Sequence, residues 1–405
     1  MLINVADLEI LEVAAEGLAE AARAWNGRLW IGGLPAANGE GLFADTRTGP
    51  ADPAFMLYSS GSTGRPKGVL HAHASLARTA ESFAAGVLGL RADDVIYSAA
   101  KLFFAYGLGN SLTFPLWTGA TAILQPERVT PTVVWRALAQ HRATVFCGVP
   151  TLFASLLASP DFPGPSAMNL RLCVSAGEPL PPEISRVWTA RTGVEIIDGI
   201  GSTEMLHIFL CNRPGQIRRG VTGLPAPGYE VRLVAEDGAV STRGKLGELH
   251  VRGPSAALGY WRNPERTRTV FADGWVRTGD QFRRLRSGHY VYAGRSDDML
   301  KVSGIWVSPA EVEAVLLEHG AVGEAAVVGV PDAHGLVKTR AFVVPAEGFE
   351  PGAELAHALK AFSKSRLALH KYPRQISFVA ELPKTATGKI RRHLLRAMAA
   401  ATIPS

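Results

Sequence analysis

Apolar positions at helical spacing mark residues 8–24 as an amphipathic helix. A stretch rich in Gly, Ala, Asp and Pro covers 32–53. Phe55-Met56-Leu57-Tyr58 then reads as a short buried strand running straight into a glycine- and hydroxyl-rich segment, 59–68. From about 69 to 212, apolar strand-like runs near 94–98, 120–124, 144–147 and 170–174 alternate with helical stretches. That alternation predicts an α/β fold with a largely parallel sheet. After about 220 the pattern changes to alternating residues, with an Asp237-Gly238 turn and a hairpin turning at Ser287-Gly288, a β-rich subdomain.

The last hundred residues read as a separate α+β unit. Ser308-Pro309-Ala310-Glu311 is a capping box with Pro at the first helical position, predicting a helix to about His319 that Gly320 stops. Strands are expected at 325–330, 341–345 and 375–380, a helix at 354–367, and a final helix from Ile390. Residues 299–405 hold seven Lys and six Arg against nine acidic residues, so most of the chain's net charge of +6 sits here. The excess suits phosphate groups or is a solvated surface.

Composition narrows the classes. Hydrophobic residues make up 47% and charged residues 19% of 405, which excludes a disordered chain. No run of like charges marks a nucleic-acid tail, and no apolar run is long enough to span a membrane. The N-terminus carries Asp7, Glu9 and Glu12 where an export signal needs basic and then uncharged residues. Cys147, Cys173 and Cys211 are far apart and form no CxxC pair, which suggests a reducing compartment, and a cytoplasmic location is expected. His71-Ala-His73 lacks a nearby third ligand and is weak as a metal site; a structural or nucleotide-side role is preferred.

The strongest motif is Tyr58-Ser-Ser-Gly-Ser-Thr-Gly-Arg-Pro-Lys-Gly68. Its glycines and hydroxyls let backbone N–H groups wrap an anion, and Lys67 adds charge. Gly68 follows the lysine where a Walker loop needs Ser or Thr. The segment resembles the phosphate loop of the adenylate-forming superfamily. Other segments resemble that family's marks in order: Gly199-Ile-Gly-Ser-Thr-Glu204, Trp275-Val-Arg-Thr-Gly-Asp280, Gly294-Arg-Ser-Asp-Asp298 and Pro383-Lys-Thr-Ala-Thr-Gly-Lys389.

The resemblance implies a large N-terminal domain, 1–296, of parallel-sheet α/β layers plus the β-rich subdomain, and a small mobile C-terminal domain, 297–405. It implies ATP or AMP contacts at Ser59, Ser60, Gly61, Ser62, Thr63, Gly64, Lys67, Ser175, Ala176, Gly177, Asp198, Gly199, Asp280 and Arg295. Lys389, Thr203 and Glu204 would be catalytic, with Glu204 holding Mg²⁺; Asp297 would be the hinge. Lys301, Ser303 and Gly304 would line the coenzyme A tunnel, although Gly304 also reads as a turn glycine.

The physical rationale is direct. Attack of a carboxylate on the α-phosphorus of ATP brings anions together, so cations are required. A carboxylate such as Asp280 suits two ribose hydroxyls.

Lys101-Leu-Phe-Phe-Ala-Tyr-Gly-Leu-Gly-Asn110 and the stretch through His207-Ile208 resemble benzoate-CoA ligases and their hydroxybenzoate relatives. The implied acyl pocket is Ala105, Tyr106, Gly107, His207 and Ile208. An aromatic stretch with few charges makes an apolar slot for a ring. Phe103 reads as a core residue, and Tyr106 as pocket or core; His207 hydrogen-bonds a ring substituent, closes the slot, or is packed.

The implied activity is ATP-dependent activation of an aromatic acid and transfer to coenzyme A, with ATP, Mg²⁺ and coenzyme A as the cofactors and co-substrates. No nucleic-acid or membrane partner is expected, and a homodimer is left open. Alternatives are delivery of the acyl group to a carrier protein, or a truncated, inactive nucleotide- or acyl-binding homologue. Only 57 residues precede Tyr58, where the family has a long stretch of domain; a start codon set too late, or a fragment, is the expected explanation.

Overall fold

The computed structural model describes residues 49–60, 66–164, 168–296, 298–302, 305–331, 336–384 and 390–401. The helix expected at 8–24 and positions Gly61, Ser62, Thr63, Gly64, Asp297, Ser303, Gly304 and Lys389 lie outside them.

The first two strands, β1 (Pro53–Ser60) and β2 (Pro66–Ala72), pair antiparallel, with Ser59 opposite Lys67 and Ser60 opposite Pro66. The anion-loop segment is therefore flanked by two paired strands, whereas a Walker loop joins a strand to a helix.

The main sheet follows. It contains β3 (Val95–Ser98), β4 (Thr121–Ile123), β5 (Val145–Gly148), β6 (Leu172–Ser175), β7 (Ile196–Gly201), β8 (Ile208–Cys211) and β9 (Leu224–Pro225). Their order is β4-β3-β5-β6-β7-β8-β9, parallel as far as β7 and antiparallel beyond. Both faces of the parallel part are buried, which explains why these strands read as unbroken apolar runs. Strand periodicity still sorts them. Ile96, Val145, Cys147, Leu172, Val174 and Ile197 face one core; Tyr97, Phe146, Cys173 and Ile196 face the other, with Trp135 stacked on Trp188 at 6.0 Å. The three cysteines are buried free thiols.

The N-terminal ends of β3, β5 and β6 are joined by one carboxylate. Asp94, 1% exposed, accepts from Arg171 Nε at 2.7 Å and Nη2 at 2.6 Å, from Thr144 Oγ1 at 2.7 Å and from the Arg91 amide at 2.9 Å. Burial opposes its charge, yet these donors hold its pKa down to about 2. Asp94→Ala removes the shared acceptor of these donors at a buried position and leaves the exposed Arg171 only the Gly89 carbonyl. It is expected to cost about 2–3 kcal/mol, read as a lower urea midpoint at unchanged slope.

A five-stranded sheet forms the β-rich part, from β10 (Glu230–Val234), β11 (Leu246–Arg252), β13 (Phe271–Ala272), β14 (Trp275–Arg284) and β15 (Tyr290–Arg295). Two-residue β12 (Gly259–Tyr260) instead joins β2. The C-terminal lobe begins with a hairpin, β16 (Leu300–Val302) and β17 (Ile305–Val307), in which Lys301 pairs with Trp306. Ser308 Oγ then accepts from the Glu311 amide at 3.1 Å and opens helix Pro309–Leu317, slightly shorter than expected. Strands β18 (Val322–Pro331), β19 (Val337–Pro345) and β20 (Gln375–Phe378) and helices Ala353–Arg366 and Arg392–Ala401 complete it. Among the described residues, no helix is long and apolar enough to cross a membrane.

Candidate active site

Ligands of open α/β sheets bind beyond the carboxyl ends of the strands, and five of the expected nucleotide contacts, Ser175, Ala176, Gly177, Asp198 and Gly199, lie at that end of β6 or beside it on β7. Ser175 ends β6 and is paired with Asp198 of β7. Ala176 and Gly177 follow, the latter at φ +95°. Burial pushes the Asp198 carboxyl up to about 7, against the opposing hydrogen bonds of the Gly199 and Leu180 backbone. Asp198 Oδ1 and Ser175 Oγ are buried with no partner among the described residues. Two such atoms on adjacent strands can receive polar groups from a bound molecule.

The chain leaves β7 through Gly201, where a Cβ would stand 2.6 Å from the His207 carbonyl oxygen. Ser202 Oγ accepts from the Met205 amide at 3.2 Å and caps a short 3₁₀ turn carrying Thr203 and Glu204. Glu204 Oε1 accepts from Tyr260 Oη at 2.7 Å. The Thr203 carbonyl accepts from His71 Nε2 at 2.8 Å. His71 is fully buried and stacked on Phe55 at 5.3 Å; burial lowers its pKa to about 4, so the ring is neutral and carries its proton on Nε2. His73 is exposed, so the two histidines do not act together; His71 supports the backbone of the turn that carries Thr203. Lys67 has its pKa lowered, first by burial and then by Arg266, with Glu204 opposing; these three charges share one corner.

Neither His71 nor Arg266 is named by any motif as a site residue. Asp280 and Arg295 face each other across β14 and β15, with Arg295 Nη1 donating to Asp280 Oδ1 at 3.2 Å and to the Thr278 carbonyl at 2.8 Å.

On the other side of the turn lies an aromatic cage. Leu206 takes φ +63°, which turns His207 back into the core. The His207 ring sits 4.5 Å from Phe114, 5.1 Å from Phe83 and 5.5 Å from Tyr106, measured between centroids. Burial drops its pKa to about 3, and both ring nitrogens lack a side-chain partner among the described residues. Tyr106 Oη donates to the Val174 carbonyl at 3.2 Å. Gly109 makes room for His207, since a Cβ there would meet the ring at 2.4 Å; Gly107 makes room for the Lys101 carbonyl, at 2.0 Å from a Cβ. Ala105 opens the short helix Ala105–Leu108, and Ile208 begins β8. Phe103 departs from its core expectation: it is 56% exposed and packs on Phe104 at 4.4 Å, because the chain turns outward just before that helix.

The model of the AMP-binding enzyme family matches residues 8–261, more than half of the chain. The chain belongs to the AMP-binding enzyme family. The model of the family's C-terminal domain matches residues 311–389. Benzoate–CoA ligase of Thauera aromatica is 56% identical over 361 residues, covering 89% of this chain and 68% of that protein. The 4-hydroxybenzoate–CoA/benzoate–CoA ligase of Rhodopseudomonas palustris is 48% identical over 370 residues, covering 91% and 66%. A crystal structure of a benzoate CoA ligase from Burkholderia xenovorans LB400 superposes with a TM-score of 0.83 at 57% identity, covering 87% of this chain and 70% of that one. The chain thus spans about two thirds of the length of these family members. The adenylate-forming resemblance and the two-lobed α/β architecture agree with these matches.

Proposed function

We propose that this family member is an AMP-forming acid–thiol ligase acting on a benzoate-type acid. One observation carries the reading. A single short turn presents the phosphate-side pair Thr203–Glu204 and, three residues on, the caged His207. A nucleotide phosphate and an aromatic ring placed on its two sides would have their reacting ends together.

In the first step the acid's carboxylate oxygen bonds to the α-phosphorus and the bond to pyrophosphate breaks. In the second the thiol sulfur of coenzyme A bonds to the acyl carbon, AMP leaves, and the thiol proton is released. Lys67, Thr203 and the loop 59–64 hold phosphates, and Lys389 neutralises charge at the α-phosphate. Asp280 and Arg295 address the ribose, and Ser175, Ala176, Gly177, Asp198 and Gly199 the base side. The Glu204 carboxylate would hold a magnesium ion, which would supply neutralisation of the phosphate charge. Lys301, Ser303 and Gly304 belong to the coenzyme A tunnel, Asp297 to the pivot at the 296/297 boundary, and the cytoplasm to the location.

The test is pyrophosphate release with ATP, Mg²⁺ and a panel of aromatic acids, with and without coenzyme A. Aryl-CoA is expected only with coenzyme A present. Lys389→Ala is expected to lose adenylation while still converting supplied aroyl-adenylate to thioester. Transfer to a carrier protein alone, or no release by the folded chain, would overturn the assignment.

A further inference from the structure

The two lobes touch at a point that the proposed chemistry does not use. Glu178 follows the Ser175-Ala-Gly turn on the nucleotide side and is half-buried. Its Oε1 accepts from the backbone amide of Ile390, 212 positions along the chain, at 3.3 Å. Ile390 is the residue after Lys389. Its position is braced within its own lobe by a bridge to Lys384 and by the Arg391 amide donating to the Pro383 carbonyl at 2.8 Å.

Two residues further, Arg392 gathers acidic groups of its own lobe. Its Nη2 donates to Glu313 Oε2 at 2.9 Å, and its Nε lies 3.7 Å from Asp298 Oδ2. Arg396 also holds Asp298, at 2.9 Å. From the N-terminal lobe the Glu178 carboxylate acts on Arg392 electrostatically, beside the neutral phenol of Tyr292. Arg392 Nη1 is buried with no partner among the described residues. A carboxylate and a backbone N–H therefore meet across the lobe boundary, within electrostatic reach of the Arg392 guanidinium and next to the chain that carries Lys389.

We propose that Glu178 is a positioning residue, a catch that seats the C-terminal lobe for acyl-adenylate formation through the Ile390 amide and the Arg392 charge. The inference rests on the function proposed above. A rotation that withdraws residue 390 must break this contact, so the catch favours the first half-reaction over the second. Glu178 is half-buried and not one of the buried core side chains, so its variants are expected to fold.

In Glu178→Ala the rate of pyrophosphate release should fall about tenfold, the scale of one charge-assisted hydrogen bond. Thioester formation from supplied aroyl-adenylate and coenzyme A should be unchanged or faster. Glu178→Gln, which keeps an acceptor without the charge, should fall between Ala and wild type. Equal loss in both half-reactions, or none in either, overturns the catch. Hydrogen exchange at the Ile390 amide tests it independently of turnover: faster exchange in Glu178→Ala is expected, and unchanged exchange overturns it. A wild-type chain that releases no pyrophosphate would instead count against the ligase reading.

Discussion

Glu204→Gln is expected to reduce ATP-dependent pyrophosphate release about 1,000-fold, because it removes a negative charge at the site where phosphates and their counterion are held. Gln keeps the shape and still accepts from Tyr260 Oη, so the 3₁₀ turn at 203–205 should persist. Tyr260→Phe probes the other end of the same bond. It leaves the carboxylate in place but loosens it, and about a tenfold loss is expected. Added magnesium should partly restore Tyr260→Phe and leave Glu204→Gln unaffected. The check is initial pyrophosphate release across a magnesium titration, beside urea curves for both variants. A Glu204→Gln rate within tenfold of wild type, at normal stability, would remove Glu204 from the phosphate chemistry.

A second large effect concerns pH. Folded His207 titrates at about 3 and His71 at about 4, whereas unfolded histidine titrates near the usual 6.5. Below that value the unfolded chain takes up protons that the folded chain refuses. Stability contributed by these neutral rings is therefore present above about 6.5 and is lost as pH falls towards the folded values. Each ring adds a positive slope of stability against pH, near 1.4 kcal/mol per unit well inside its window. Asp198, pushed up to about 7, and Glu313, also raised by burial, act in the opposite sense. The informative quantity is thus the difference between proteins. From pH 6 to 4, His207→Gln should lose less stability than wild type by about 2–3 kcal/mol, measured by urea unfolding at each pH. An identical slope would mean that the His207 ring is protonated in the folded chain.

The parts legible from sequence are those governed by local pattern. The parallel strands announce themselves because both of their faces are buried, and the Ser308 capping box because its partners lie three residues apart. Asp280 and Arg295 were readable as motif members, but only the β14–β15 register shows that they oppose one another. The hidden parts depend on distant contacts. His71 supports the Thr203 carbonyl across 132 positions, and the joining of β12 to β2 has no periodic signal in two residues. The same holds for Arg266, which joins the phosphate corner from helix Pro264–Val270. Phe103 was misjudged because an aromatic residue in an apolar run looks internal, while the backbone turns it outward.

The Asp94 junction has an evolutionary consequence. It fastens three neighbouring strands at their amino ends, while the polar groups expected to meet substrates cluster beyond the carboxyl ends. The two edges of one sheet can then vary under separate pressures. Substitutions near Asp94, Thr144 and Arg171 should change how warm a host the enzyme tolerates without altering which acids it accepts. Those around His207 and Gly109 should do the reverse, so heat tolerance and acid preference could diverge independently among descendants of this chain.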